Sequence, residues 1–540
     1  MPTEKVIEAD NFTVQNQLKP KRGCRQIFFI CLIFILIAAV PLWWFCIHTT
    51  PLQFSKETTY VTDPKTADGK WIDYLAAIEK RHYQPEMKTD DNGYRILVRA
   101  CGFVTQSKTH EEVIRKQTYE KLGLAPTVQP TMKLESPDTV LNMLQDENRN
   151  EIIKKYSQQE TFWTLNDFPQ LENWLKENDA AINLLGEAVR KPAFCIPLVW
   201  HCDTNTMTYQ LAIPLETVQY NREMVRAAYG RAKYRIGIGD IDGAIYDTIT
   251  VHRLGRYASR NGTLLAAFVG IAVDNMALQI GINGNPDRPA TKEQLEHYLK
   301  ELDSLPPMVT FAECMESERL FGLGMLQGRF ISKYNDGIPS PTLNWICDPN
   351  ITFRFMNKAY DMMCESEILQ RDDEIFKVSS NPLHYITVRS RSENLSRMLV
   401  SLLTPAVKQA RETLRYNECT MNMKCLTLAL LLYEKEHGKS PDGDWRKAVK
   451  PYLGEKPDRY LRCPSCNLED GETIYVMIRH EIDEPVTPET MLLVETYPPQ
   501  KLSEGDGVIS NAPTLFTNQH SNDYTVTYRS GSVRFQNHIK

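Results

Sequence analysis

The stretch from Leu399 to Asp442, LVSLLTPAVKQARETLRYNECTMNMKCLTLALLLYEKEHGKSPD, constrains this chain more than any other. Cys419, Met423, Leu426, Leu430 and Tyr433 fall at i, i+4, i+7, i+11 and i+14. That spacing sets them along one apolar stripe of an α-helix. Gly438 followed by Pro441 reads as the helix exit, because glycine tolerates the left-handed cap and proline cannot continue the helix. The rest of the chain is placed relative to this long helix.

A second stretch departs from the pattern of an ordinary soluble protein. Ile27–Ile47, IFFICLIFILIAAVPLWWFCI, carries no charge. At about 1.5 Å per residue it reaches roughly 30 Å, the thickness of a bilayer core. Trp43 and Trp44 sit near one end, and Lys19, Lys21, Arg22 and Arg25 crowd the other. Aromatic rings favour the interface and basic residues stay inside. The expectation is therefore a single-pass anchor with a cytoplasmic N-terminus and an extracytoplasmic bulk. A cleaved signal peptide fits less well, because its apolar run is shorter and ends in a small-x-small site.

At 540 residues the chain is long enough for two or three domains with their own cores. A net charge of -6 and the lack of a long basic tract outside the anchor flank give no footprint of nucleic-acid binding. The 13 cysteines are too sparse for a disulfide scaffold.

The expected order is a tail over 1–26, the anchor over 27–47, an extended linker over 48–64, a helical domain over 65–396 and a smaller α+β domain over 397–540. The fold class is mainly α. In the helical domain, NREMVRAAYGRAKYRIGIGD and IDGAIYDTITVHRLGRYAS form a predicted hairpin joined at Gly239-Asp240. It is tetratricopeptide-like, but no second copy follows at a 34-residue period. The next helix, TLLAAFVGIAVDNMALQIGI, is expected in the core, with Gly270, Ala272 and Ala277 at close contacts. After residue 440 the strands TIYVMIRH, TMLLVET and YTVTY-RSGS-VRFQ are expected, the last turning at Ser530-Gly531.

Several phrases carry a resemblance. LLTPAVKQARETLRYNECTMNMKCLTLALLLYEKEHGKSP is similar to the N-terminal helix of pseudopilin-like proteins (type II secretion pseudopilins and type IV pilins). CPSC at 463–466 and HSNDYTVTYRSGSVRF resemble that family's C-terminal motifs. GDIDGAIYDTITVHRLGRYASRNGTLLAAFVGIAVDNMAL and NWICDPNITFRFMNKAYD resemble membrane-anchored planctomycete-type proteins of unknown function. The resemblance implies a pilin-like domain in which a long helix packs on an antiparallel sheet. It also implies a bacterial, inner-membrane setting and a Cys419–Cys463 disulfide. Only MLVSLL precedes Pro405, so this helix is too short in apolar residues to be a pilin membrane segment.

Candidate chemistry is sparse. Cys463-Pro-Ser-Cys466 reads as half a zinc site, a redox pair, or structural thiols, and no second ligand pair stands at zinc spacing. Glu313, Glu316 and Glu318 share a helix as either metal-binding carboxylates or a solvated face. His201-Cys202-Asp203 sets a nucleophile beside a base and an acid, although triads form in space and seldom from neighbours in sequence. His252, Arg253 and Arg256 read as an anion-binding face or a packing network. No cofactor motif is found. The leading expectation is a membrane-anchored scaffold or binding protein of the cell envelope, with the bilayer and a protein partner. One alternative is an extracytoplasmic hydrolase or metal-dependent enzyme whose pocket gathers His201, Asp240, His252 and Glu313. The other is an accessory part of a pilus-like or type II secretion system.

Overall fold

In a computed structural model, residues 22–46, 48–103, 111–199, 215–331, 334–335, 338–339, 347–365, 377–378, 380–462, 472–478, 487–501, 508–509 and 524–536 are described. The chain is mainly helical with a small, mostly antiparallel sheet. Its helices are α1 (Arg22–Cys46), α2 (Tyr74–His82), α3 (Gly93–Cys101), α4 (Glu111–Lys121), α5 (Pro137–Asn142) and α6 (Arg149–Gln158). Next come α7 (Glu172–Ala188), α8 (Leu215–Ile238), α9 (Ile241–Ser259), α10 (Leu264–Gln279) and α11 (Lys292–Asp303). The series ends with α12 (Phe311–Ile331), α13 (Pro349–Cys364), α14 (Val388–His437) and α15 (Trp445–Val449).

Strands β1 (Tyr334–Asn335) and β2 (Ile338–Pro339) form a short hairpin. β3 (Glu472–Ile478), β4 (Met491–Lys501), β5 (Val508–Ile509), β6 (Tyr524–Tyr528) and β7 (Val533–Gln536) form one sheet in the order β5-β3-β4-β6-β7. All its pairings are antiparallel except β3 with β5.

The long helix, α14, is the axis of the molecule. Thr387 caps its start, its hydroxyl accepting from the Ser390 N–H at 3.1 Å. Gly438 closes it in the left-handed conformation at φ 72°, as its glycine stop predicts. The helix begins eleven residues before Leu399 and carries Pro405 within it. It crosses the expected 396/397 boundary unbroken.

Its two halves serve different cores. Val400 and Val407 pack with α2, α12 and α13 around Phe330, Phe353 and Met356. Cys419, Met423, Leu426 and Leu430 pack between Ile245 and Ile249 of α9, Tyr298 of α11, and Tyr475 and Leu493 of the sheet. Residues 422–432 are buried without exception, so this half is enclosed rather than amphipathic. Upstream, Leu402 is 71% exposed.

The membrane-crossing helix expected over Ile27–Ile47 is corrected. α1 forms there with Pro41 inside it, but among the described residues no helix is long and apolar enough to cross a membrane. The transmembrane, signal-anchor reading falls with it. The segment over 48–64 is not a free linker either. Thr50 donates to the Asp348 carboxylate from its N–H at 2.8 Å and its hydroxyl at 2.7 Å, and the Gln53 N–H donates to Asn350 at 2.7 Å. This segment is seated on the first turn of α13.

α8 and α9 form the expected hairpin at Gly239-Asp240. α10 then crosses α9 where Gly255 faces Gly270. A Cβ on Gly270 would lie 2.5 Å from the Gly255 carbonyl oxygen and from Ser259 Cβ. Ala277 is buried, but Ala272, expected at a close contact, is exposed. Gly270→Ala should therefore cost about 1–3 kcal/mol by forcing two helices apart. Urea denaturation should show it as a lower midpoint with an unchanged slope, and an unchanged midpoint would refute the close crossing.

Candidate functional site

The α9–α10 crossing buries a carboxylate. Asp274, alone among charged residues in the apolar run of α10, is fully buried. An ionised group there must be paired. Its Oδ1 accepts from His252 Nδ1 at 2.8 Å and Arg256 Nε at 3.3 Å. Its Oδ2 accepts from Arg256 Nη2 at 3.3 Å and Asn417 Nδ2 at 3.0 Å. Burial by itself raises this carboxyl's pKa, but Arg256, His252 and Asn417 outweigh burial and hold it well below the usual carboxylate range. Burial, aided by Arg256 and Lys424, lowers the His252 pKa against the pull of Asp274. The stable pair is thus a neutral imidazole donating from Nδ1 to a carboxylate. Its Nε2 has no hydrogen-bond partner among the described residues.

A cavity of about 720 Å³ lies on the other side of Arg256 and Asn417. This is within the size range of small-molecule sites. Its walls come from the end of α9, the α11–α12 connection, the start of α12 and residues 411–425 of the long helix. Leu302, Leu305, Met308, Val309, Phe311, Leu414 and Met421 are its apolar lining.

Arg256, Arg411, Arg415 and Arg459 face the cavity along with Asp303 and Glu418. Arg459 and Tyr460 both bond to Asp303, the tyrosine at 2.8 Å. Arg411 is 8% exposed. It donates to the Met363 carbonyl at 2.6 Å and lies 4.5 Å from the Phe311 ring centre, a cation–π distance. Burial, with the like charge of Arg415, pushes the Arg411 pKa below its ordinary value. Arg415 stands one turn on and reaches Glu412 at 3.8 Å.

A second buried cation lies along the same helix. The Lys424 ammonium donates to the carbonyls of Leu278 at 3.2 Å, Ile280 at 2.7 Å and Gly531. The Tyr298 ring lies 5.5 Å away. Burial pushes its pKa down to about 7. Three carbonyls match the three N–H groups of an ammonium and act against that shift. The lysine thereby links the long helix to the end of α10 and to the β6–β7 turn.

The residues expected to share a pocket do not meet. His252 is in the buried pair just described. Asp240 caps α9, accepting from the Gly243 N–H at 3.0 Å, and pairs with Arg235 at 3.3 Å. Glu313 accepts from the Thr310 N–H at 2.7 Å and hydroxyl at 2.8 Å at the start of α12. His201, Cys202 and Asp203 lie outside the described residues. Glu316 goes to Tyr60 and Arg81, and Glu318 to the Leu264 N–H, so the three α12 carboxylates diverge. Among the described residues no group of His, Cys, Asp and Glu could hold a metal ion.

Cys419 is fully buried. Cys463 and Cys466 lie outside the described residues, and with them the expected Cys419–Cys463 pairing.

Of the face His252, Arg253 and Arg256, only Arg256 reaches the cavity. The sequence reading missed Arg411, Arg415, Asp274 and Lys424. Two of these stood out in principle: Asp274 and Lys424 are lone charges inside apolar helical runs, where burial demands a partner. Family models, curated proteins and solved structures contain no match to this chain.

Proposed function

We propose that this is a binding protein and that the 720 Å³ cavity is where its ligand sits. The observation that carries the reading is the combination in one cavity of an apolar wall with guanidinium groups held by the fold behind them. That is the make-up of sites that bury most of a small ligand while a few polar groups orient it. Asp274 and His252 act from behind the wall, fixing Arg256 and Asn417, and do not touch the cavity. The complete enclosure of residues 422–432 takes that part of the long helix out of any side-by-side assembly, as in a pilus-like fibre.

The test uses the neutral fluorophore N-phenyl-1-naphthylamine with the full-length chain. Saturable binding is expected, weakened about ten-fold by Ala312→Trp, a cavity-lining and solvent-exposed position where a bulky ring fills the site at a cost of roughly 1.4 kcal/mol of binding. Absence of saturable binding, or binding that Ala312→Trp leaves unchanged, would overturn the reading.

A further inference from the structure

We infer that the ligand of this cavity is an organic oxyanion, a carboxylate or phosphomonoester carried on an apolar body, seated between Arg411 and Arg415. The inference rests on the cavity being a binding site. Arg411 and Arg415 are four residues apart on the long helix and both face the cavity. An oxyanion set between two guanidinium groups gains charge-assisted hydrogen bonds from both.

The pair is also built to receive one. Arg411 is buried, with its guanidinium fixed on one side by the Met363 carbonyl at 2.6 Å and on another by the Phe311 ring at 4.5 Å. A guanidinium is a planar fork of five donors suited to paired contacts with a carboxylate or phosphate, and one held in place loses little freedom when it binds. Arg415 also reaches Glu412 at 3.8 Å, and Glu418 lines the cavity. Asp303 faces the cavity but is taken up by Arg459 and Tyr460. Leu305, Met308 and Leu414 also line the cavity and give the rest of the ligand an apolar surface to pack on.

Isothermal titration of the full-length chain with decanoate, decyl phosphate, decanol and decylamine tests this, since the four share one tail. Decanoate or decyl phosphate should bind at least about ten-fold tighter than decanol, a difference of roughly 1.4 kcal/mol, and decylamine no tighter than decanol. The stronger of the two anions identifies the head group. Arg411→Met should reduce the preference to within about three-fold. Arg415→Gln, at a more exposed position that leaves the packing of Phe311 intact, should do the same if Arg411→Met unfolds the protein.

Equal affinity for decanol and both anions would overturn the oxyanion while leaving the cavity as a binding site. So would a preference that survives Arg415→Gln. If none of the four binds, the oxyanion and the binding site both fall.

Discussion

Asp274→Ala should cost about 3–5 kcal/mol of folding stability, the usual result of removing one partner from a buried ion pair. Four donors from two other helices converge on this carboxylate. Without it the Arg256 guanidinium, whose side chain is 11% exposed, loses its counter-charge. His252 and Asn417 lose their acceptor. For a domain with a total stability of 5–15 kcal/mol the loss is a large fraction. Adding Arg256→Met to Asp274→Ala should restore part of it, because the uncompensated cation is then gone. Urea denaturation of the two single variants and the double variant measures the coupling, and a strictly additive double variant would sink the account.

The same cluster sets an acid limit. The folded pKa values of Asp274 and His252 are both depressed, so in acid the unfolded chain binds protons that the fold refuses. The His252 contribution is present above about pH 6.5 and fades below it. The Asp274 contribution is present above about pH 3.9 and fades below that.

The second large effect belongs to Lys424 and has the same sign in a higher pH window. Its folded pKa is pushed down to about 7 by burial, against about 10.4 for an unfolded lysine. Between these values the unfolded chain holds a proton that the folded chain has released, so stability rises with pH across that window. One proton per molecule gives at most about 1.4 kcal/mol per pH unit.

Relative to Lys424→Met, the wild-type protein should therefore gain stability steadily from about pH 7 to pH 10. Titrations of tyrosines and other groups common to both cancel in the comparison. Guanidinium denaturation of both proteins at pH 6.5, 8 and 9.5 decides it. A constant difference would mean that the three carbonyls hold the ammonium charged across the range.

The long helix, its glycine stop and the α8–α9 hairpin were legible in the sequence because they are local matters. Spacing of apolar residues, a left-handed glycine and a Gly-Asp junction act within a few residues of one another. The same local grammar marked Gly270 and Ala277 as contact positions, yet it also named Ala272, which is exposed. Within a helix that is apolar almost all round, periodicity does not say which side meets the neighbour.

Two further readings were overturned. The uncharged run over Ile27–Ile47 counted as a span on its length, its tryptophans and its basic flank. The long helix, read as amphipathic, is enclosed over 422–432 because the sheet covers the face that α9, α10 and α11 leave open.

What the sequence determined by itself was therefore the helical character, the hairpin and the end of the axis. Only the tertiary structure decided the site. Arg256, Asp274, Arg411 and Arg415 come from α9, α10 and the long helix, separated by up to 159 positions in sequence. A buried charge is tolerated only where partners from other elements converge on it. Such convergence depends on how the helices cross, which no local pattern along the chain encodes.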